Sequence, residues 1–177
     1  MIQVAFGDAL KRMLLPLGFP EDVLWGPSEI RDQWVHPVLG VTARAVLQHV
    51  GTEGCRSVDP DFWVKLWADV IDKLRSGKYG YDRTKGAVEL LVERSNPVLV
   101  IAPDLRFDNE HAAVEAMDDA VSVLVERPED DGNVDAHASE VWCKAAAAQC
   151  VDHVIVNDST LEALRTVACK LFYTVIG

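Results

Sequence analysis

Apolar residues run in short unbroken blocks at three places, and polar side chains follow each block at once. Val98-Leu-Val-Ile101, Ala120-Val-Ser-Val-Leu-Val125 and His153-Val-Ile-Val156 are too short for helices and rich in β-branched residues. Such blocks predict strands buried on both faces, the habit of a parallel sheet. A helical pattern follows each one. The first begins near Asp108, with Ala113, Val114 and Met117 inward. The second starts at His137-Ala-Ser-Glu140, with Ser139 as cap, and runs through Trp142 and the Ala145–Ala148 stretch. The third spans 161–173, with Ser159 or Thr160 as cap. Strand and helix alternating over 98–173 imply right-handed crossovers and an α/β fold with a parallel sheet.

The first half is more helical. Ile2-Gln-Val-Ala-Phe6 predicts a short strand. Leu10, Met13, Leu14 and Leu17 then recur at helical spacing until Pro16 and Gly18 stop the helix. Residues 18–40, punctuated by Pro20, Gly26, Pro27, Pro37 and Gly40, predict an irregular connection with a single turn of helix at most. Val41 to Val50 reads as a helix capped by Thr42 and broken at Gly51-Thr-Glu-Gly54. Asp59-Pro60 opens the strongest helix, with Asp as cap and Pro at the first helical position. Phe62, Trp63, Leu66, Trp67, Val70, Ile71 and Leu74 form its apolar stripe. Trp63 and Trp67 are core residues on that stripe or, on the sharper alternative, a stacking surface for a base. Residues 84–94 predict one more helix.

Length and charge narrow the class. A chain of 177 residues predicts a single domain over 1–177, burying about two thirds of its unfolded surface. Seventeen basic against 28 acidic side chains give a formal charge of −11, which argues against a nucleic-acid-binding surface. A few local cations can still line a pocket for a small anion. No apolar run is long enough to span a membrane and no signal peptide is visible, so no membrane partner and a cytosolic protein are expected. Cys55, Cys143, Cys150 and Cys169 lack metal-ligand spacing; they predict reduced, buried thiols and no metal site.

Candidate chemistry gathers behind the first apolar block. Pro103 is followed by Asp104, Arg106, Asn109 and Glu110, just beyond the carboxyl end of a strand, where open α/β sheets bind ligands. A carboxylate, a guanidinium and an amide there suit a polar, negatively charged ligand. The competing reading has Asp104 capping a helix and Arg106 pairing with it. Lys11 lies off the first helix's apolar stripe, so it is either solvated or aimed at the strand ends. Arg44, Gln48, Thr52, Glu53 and Arg56 concentrate polar groups near one helix end, although Gly51-Thr-Glu-Gly54 is too short for a phosphate cradle. Residues 128–140, acidic and set between Arg127 and a helix start at His137, read as a lid or as a solvated loop.

Seven segments, in order, are similar to the deoxynucleoside monophosphate kinases of tailed bacteriophages, within the P-loop nucleoside monophosphate kinase group. They are Phe6-Gly-Asp-Ala-Leu-Lys11, Leu47-Gln-His-Val-Gly-Thr-Glu53, Phe62-Trp-Val-Lys65, Ile101-Ala-Pro-Asp-Leu-Arg-Phe-Asp-Asn-Glu110, Val125-Glu-Arg-Pro128, His137-Ala-Ser-Glu140 and Val154-Ile-Val-Asn-Asp-Ser-Thr-Leu-Glu162. The resemblance implies a three-layer parallel sheet and a deoxynucleoside monophosphate as acceptor. It implies that Asp104, Arg106 and Glu110 meet that nucleotide, with Trp63 near its base. Lys11 and Arg56 would lie toward the phosphates, and Arg127 would reach in from the lid. Lys11, Arg106 and Arg127 would assist transfer, and Asn157 with Asp158 would pass near the adenine of ATP. ATP and Mg²⁺ are the implied cofactors, and the cytoplasm of an infected bacterium the implied setting.

Departures from the family are visible. Asp118-Asp119 stands where the family has Gly-Gly, and Ser159 stands in its Asn-Asp-Gly-Thr. More consequentially, no G-x-x-x-x-G-K-[ST] occurs, the loop that cradles the donor's phosphates. The match begins at what would be the second strand, so the first strand, phosphate loop and first helix are expected to be missing. The strands at 98–101 and 120–125 would then pair directly or flank a gap filled by another chain, a homodimer or a separate partner. Three readings follow. They are a kinase helped by an unusual or borrowed donor site, an inactive relative that binds a nucleotide as sensor, sequestering or regulatory protein, and an interaction protein with a vestigial pocket.

Overall fold

The computed structural model describes residues 1–85, 99–127 and 150–176. They fall into two compact units, Met1–Leu105 and Arg106–Gly177. Residues 86–98 and 128–149 lie outside the described set, and with them Val98, most of the 84–94 helix, the 128–140 segment and the helix carrying Trp142.

In the first unit, β1 (Ile2–Gln3) pairs in parallel with β2 (Val100–Ile101), Ile2 opposite Val100 and Gln3 opposite Ile101. The expected strand over 2–6 is shorter. Val4 N–H still bonds Ile101 O at 2.9 Å, but Ala5 and Phe6 N–H turn to Asp8 Oδ2 and Asp104 Oδ1, and all three residues are buried. Helix α1 (Asp8–Leu14) follows and runs into a 3₁₀ turn, Leu15–Leu17, closed by Gly18 at φ 91°. Its inner face carries Asp8, Leu10 and Leu14, while Met13 and Leu17 are exposed. The apolar stripe is therefore rotated from the one expected, and the reason is that Asp8 finds partners for both of its oxygens indoors.

The 18–40 stretch holds two helices where an irregular connection is expected: α2 (Glu21–Trp25) and α3 (Ser28–Gln33). Pro20 and Pro27 sit immediately before them with extended ψ, so these prolines begin helices instead of breaking them. Acidic residues in each first turn (Glu21, Asp22, Glu29) suit the exposed N–H groups. Leu14, Phe19, Val23, Leu24 and Ala43 form a buried cluster against which Trp25, Trp34 and Leu47 pack.

Thr42 caps α4 (Ala43–Gln48) through Ala45 N–H to its Oγ1, as expected. The expected break at Gly51–Gly54 does not occur. The chain continues as a π-helix, His49–Cys55, into a short α5 (Arg56–Val58). Widening the helix lets Gly51 lie against α1, where an added Cβ would fall 2.8 Å from Leu10 Cδ2. Glycine is used here for close approach, not as a stop.

Helix α6 (Phe62–Arg75) starts two residues later than expected. Asp59 instead holds the preceding turn, its Oδ1 accepting from Asp61 N–H. Trp63, Trp67, Val70, Ile71 and Leu74 are buried, and only Leu66 of the interior stripe is exposed. Trp67 stacks on Phe6 at 4.5 Å between centroids and donates its indole N–H to Val4 O. The core reading of both tryptophans holds.

The second unit contains α7 (Asp108–Glu115), β3 (Val123–Glu126), β4 (His153–Val156) and α8 (Leu161–Ile176). Strands β3 and β4 are parallel, in register from Val123 with His153 to Glu126 with Val156. Ser122 and Asp152 lock their starts together: Asp152 Oδ2 accepts from Ser122 N–H at 2.8 Å, and Ser122 Oγ accepts from Asp152 N–H at 3.1 Å. Thr160 Oγ1 caps α8.

Burial on both faces is overturned for these strands. Val123, Val125, Val154 and Val156 are exposed and only Ile155 is buried, since a pair of strands has too little width to cover itself. Among the described residues the first unit holds one parallel pair, β1 with β2, and the second unit another, β3 with β4. Cys150 and Cys169 are exposed and Cys55 half-buried, against the expected burial of the thiols; Cys143 lies outside the described residues. No helix among the described residues is long and apolar enough to cross a membrane.

Candidate functional site

Parallel strand order brings the end of β2 beside the start of α1, and Asp104 makes the junction. Its Oδ1 accepts from Phe6 N–H and its Oδ2 from Gly7 N–H, both at 2.9 Å. The carboxylate thus holds the two amides just ahead of α1, about a hundred residues earlier in the chain, and not the start of the helix that follows it. Gly7 permits the approach, since a Cβ there would meet Asp104 Oδ2 at 3.2 Å. Burial raises the Asp104 carboxyl above its usual range; the two N–H bonds and nearby Lys11 pull it back in part.

One turn along, Asp8 is the hub of the unit. It is 1% exposed. Ala5 N–H and Tyr81 O–H bind its Oδ2 at 3.0 and 2.8 Å, and Trp25 Nε1–H binds its Oδ1 at 2.9 Å. Arg83 lies 3.3 Å from Oδ1 through Nη2 and also donates to Gln3 Oε1. Burial pushes the Asp8 carboxyl up, but the bonds from Trp25, Ala5, Tyr81 and Arg83 outweigh it and hold it below the usual carboxylate range. Burial and the same carboxylate push the Tyr81 hydroxyl well above its ordinary value, so it remains a donor. Arg12 completes the group, contacting Tyr81 Oη and Arg83 O.

Lys11 stands apart from this satisfied network. Its ammonium lies 5.9 Å from the centroid of the Trp25 ring. Among the described residues it has no side-chain hydrogen bond or ion pair. Burial lowers its pKa from the ordinary lysine value; Arg31 and Arg83 push the same way, while Asp8 and Asp104 oppose them. A half-buried cation without an acceptor, with guanidinium charge beside it, is a place where an anion gains more than it would in water.

The other expected residues divide between the units. Trp63 is 3% exposed, with its indole N–H on Gly51 O at 2.8 Å. That leaves no open face on which a base could stack. Arg56 donates to Pro60 O, and Arg44 pairs with Asp32. In the second unit Glu110 is buried and its Oε2 accepts from Arg106 and Phe107 N–H, closing the first turn of α7. The Arg106 side chain is exposed. Arg127 and Asn157 immediately follow the last paired residues of β3 and β4, and Asn157 N–H extends the ladder to Glu126 O at 2.7 Å. Two expectations from distant segments thus meet at one strand edge; Asp158 is next in the chain and exposed.

Asp8, Trp25, Tyr81 and Arg83 were not anticipated. The available signal was an acid at the start of a helix whose own stripe could be drawn through it, together with two polar residues in the loop at 81–83.

Helices with small parallel sheets define an α/β protein, with the Lys11 cation beside the β2–α1 junction. The chain belongs to the deoxynucleotide monophosphate kinase family, whose family model matches residues 29–167. No curated protein and no solved structure matches it.

Proposed function

We propose that this chain binds a deoxynucleoside monophosphate, with Lys11 as the contact for its phosphate. The observation that carries the reading is the acceptor-less, half-buried ammonium of Lys11 in a chain of this family. In the second unit, taken by itself, Arg106 and Arg127 are exposed guanidiniums of the kind that fork onto phosphate oxygens, and Asn157 and Asp158 are polar groups at the end of β4. Asp104 and Glu110 act through the backbone: their carboxylates fix the amides of residues 6–7 and 106–107. The parallel sense of both strand pairs supports a three-layer sheet of the nucleoside monophosphate kinase type.

ATP and Mg²⁺ fit this chain less well. The sequence holds no G-x-x-x-x-G-K-[ST], the loop that would cradle the phosphates to which Mg²⁺ binds. Phosphoryl transfer rests on positioning and charge stabilisation, so without a donor cradle the chain alone is a receptor more than a catalyst. That favours the second reading, a nucleotide-binding sensor, sequestering or regulatory protein. A kinase requires the cradle from another source.

Calorimetric titration of the purified chain with the four common deoxynucleoside monophosphates tests this. Saturable binding is expected, weakened roughly 10- to 100-fold in Lys11→Met, the scale of one charge-assisted hydrogen bond. Absence of binding to all four overturns the reading. ATP-dependent formation of a diphosphate by the purified chain overturns the preference for a receptor.

A further inference from the structure

Trp63 is closed to solvent, but Trp25 is not. Trp25, Gly26, Pro27 and Ile30 line an open cleft of about 500 Å³, with Glu21, Asp22 and Thr84 at its edge. That volume is in the range of small-ligand sites. The indole is fixed, because its N–H is held by Asp8 Oδ1, and it has Lys11 5.9 Å from its ring centroid. One aromatic side chain is therefore shared by a cleft with apolar walls and by the open ammonium. Lys11 does not itself line the cleft but stands at the same indole, and the cleft adds an apolar wall and two carboxylates, Glu21 and Asp22, able to accept from the donors of a base. Asp22 Oδ1 already accepts from Val23 N–H in the first turn of α2. Glu21 has no hydrogen bond among the described residues.

We propose that this cleft holds the base of the monophosphate and that Glu21 selects it, favouring guanine. Guanine presents N1–H and N2–H side by side, a pair of donors that one carboxylate accepts together. Adenine and cytosine offer a single amino group, and thymine a lone ring N–H. The proposal rests on the reading of Lys11 above, but its residues are different and so is its test.

Two variants carry that test. Ile30→Trp fills the cleft from an exposed position on α3. Glu21→Gln removes the carboxylate at an exposed position in the first turn of α2, where Asp22 remains to suit the helix N-terminus. Titrations use dGMP, dAMP, dCMP, dTMP and the base-free 2-deoxyribose 5-phosphate, with melting temperature as the check on folding. The wild type is expected to bind dGMP about tenfold more tightly than dTMP, the effect of roughly 1.4 kcal/mol. Ile30→Trp should lose at least tenfold for every nucleotide, yet bind 2-deoxyribose 5-phosphate as the wild type does. Glu21→Gln should erase the preference for dGMP without weakening dTMP. Wild-type affinity for dGMP in a folded Ile30→Trp overturns the cleft. A flat ranking of the four bases, or a preference that survives Glu21→Gln, overturns the selection. If the wild type binds no monophosphate at all, both this proposal and the reading it rests on fall.

Discussion

Asp8 and Lys11 are three residues apart on one helix and are treated by the fold in opposite ways. The carboxylate receives a donor on each oxygen; the ammonium receives none that the described residues supply. Because the folded pKa of Asp8 is depressed, its contribution to stability is complete above the ordinary aspartate value and is lost as pH falls through the depressed one. Asp8→Asn should therefore flatten the acid limb of a stability-against-pH curve, and it should also lower stability at neutral pH. Denaturant melts from pH 7 down to pH 2 would read both effects, and an unchanged acid limb would refute the assignment. For Lys11 the sign is reversed. Its folded pKa is lowered, so the unfolded chain binds more protons in the window between the two values, and stability rises with pH there. A bound phosphate draws the ammonium back to its charged form. Nucleotide affinity should fall as pH rises through the lowered Lys11 pKa, with proton uptake on binding, and Lys11→Met should show neither.

At the scale of elements, contacts between helices settle what each segment becomes. Residues 49–55 form a π-helix because the Gly51 backbone must both touch Leu10 and offer its carbonyl to Trp63. Gly51→Ala should cost about 1–3 kcal/mol, as overpacking against α1. Trp63→Phe keeps an aromatic ring, though a smaller one, and leaves the Gly51 carbonyl without its donor, at a cost of about 1–3 kcal/mol for the bond and more for the volume lost. Urea melts of the two variants measure these, and stability equal to the wild type in Gly51→Ala would show that Leu10 gives way freely. The prolines teach the same lesson in the other direction. Pro20 and Pro27 read as punctuation within a Gly- and Pro-rich stretch, yet both begin helices, since φ near −65° without an N–H suits that position. Whether a proline starts or ends a helix depends on whether apolar residues after it find a core. Val23 and Leu24 do, in the cluster with Phe19 and Ala43.

For the molecule as a whole, a charge of −11 means that an anionic ligand is drawn by local cations against the overall field. Monophosphate binding should accordingly tighten at first with added salt, or weaken only slightly, in contrast to the steep loss seen when polyanions bind basic surfaces. Titrations between 20 and 300 mM NaCl distinguish these. In thermal melts, a ligand that binds only the folded state raises the midpoint with its concentration. A deoxynucleoside monophosphate at millimolar concentration should do so more than ATP does. A larger shift with ATP would show that a donor site exists in this chain.

Local pattern alone determined the strand at 153–156, the cap at Thr42, the apolar face of α6 and the parallel sense of the strands. Each follows from residues close in the chain whose preferences agree with their neighbours'. The family was legible for a related reason, since short polar segments keep their order and identity along the chain. Tertiary structure alone decided that Asp104 holds the amides of residues 6 and 7, far from it in sequence, that Asp8 faces inward, and that Trp63 is closed while Trp25 borders a cleft. An acid, a lysine and two tryptophans look alike in sequence whether buried or exposed. Only the packing of α1, α2 and the 81–83 loop gives Asp8 its four partners and leaves Lys11 without one.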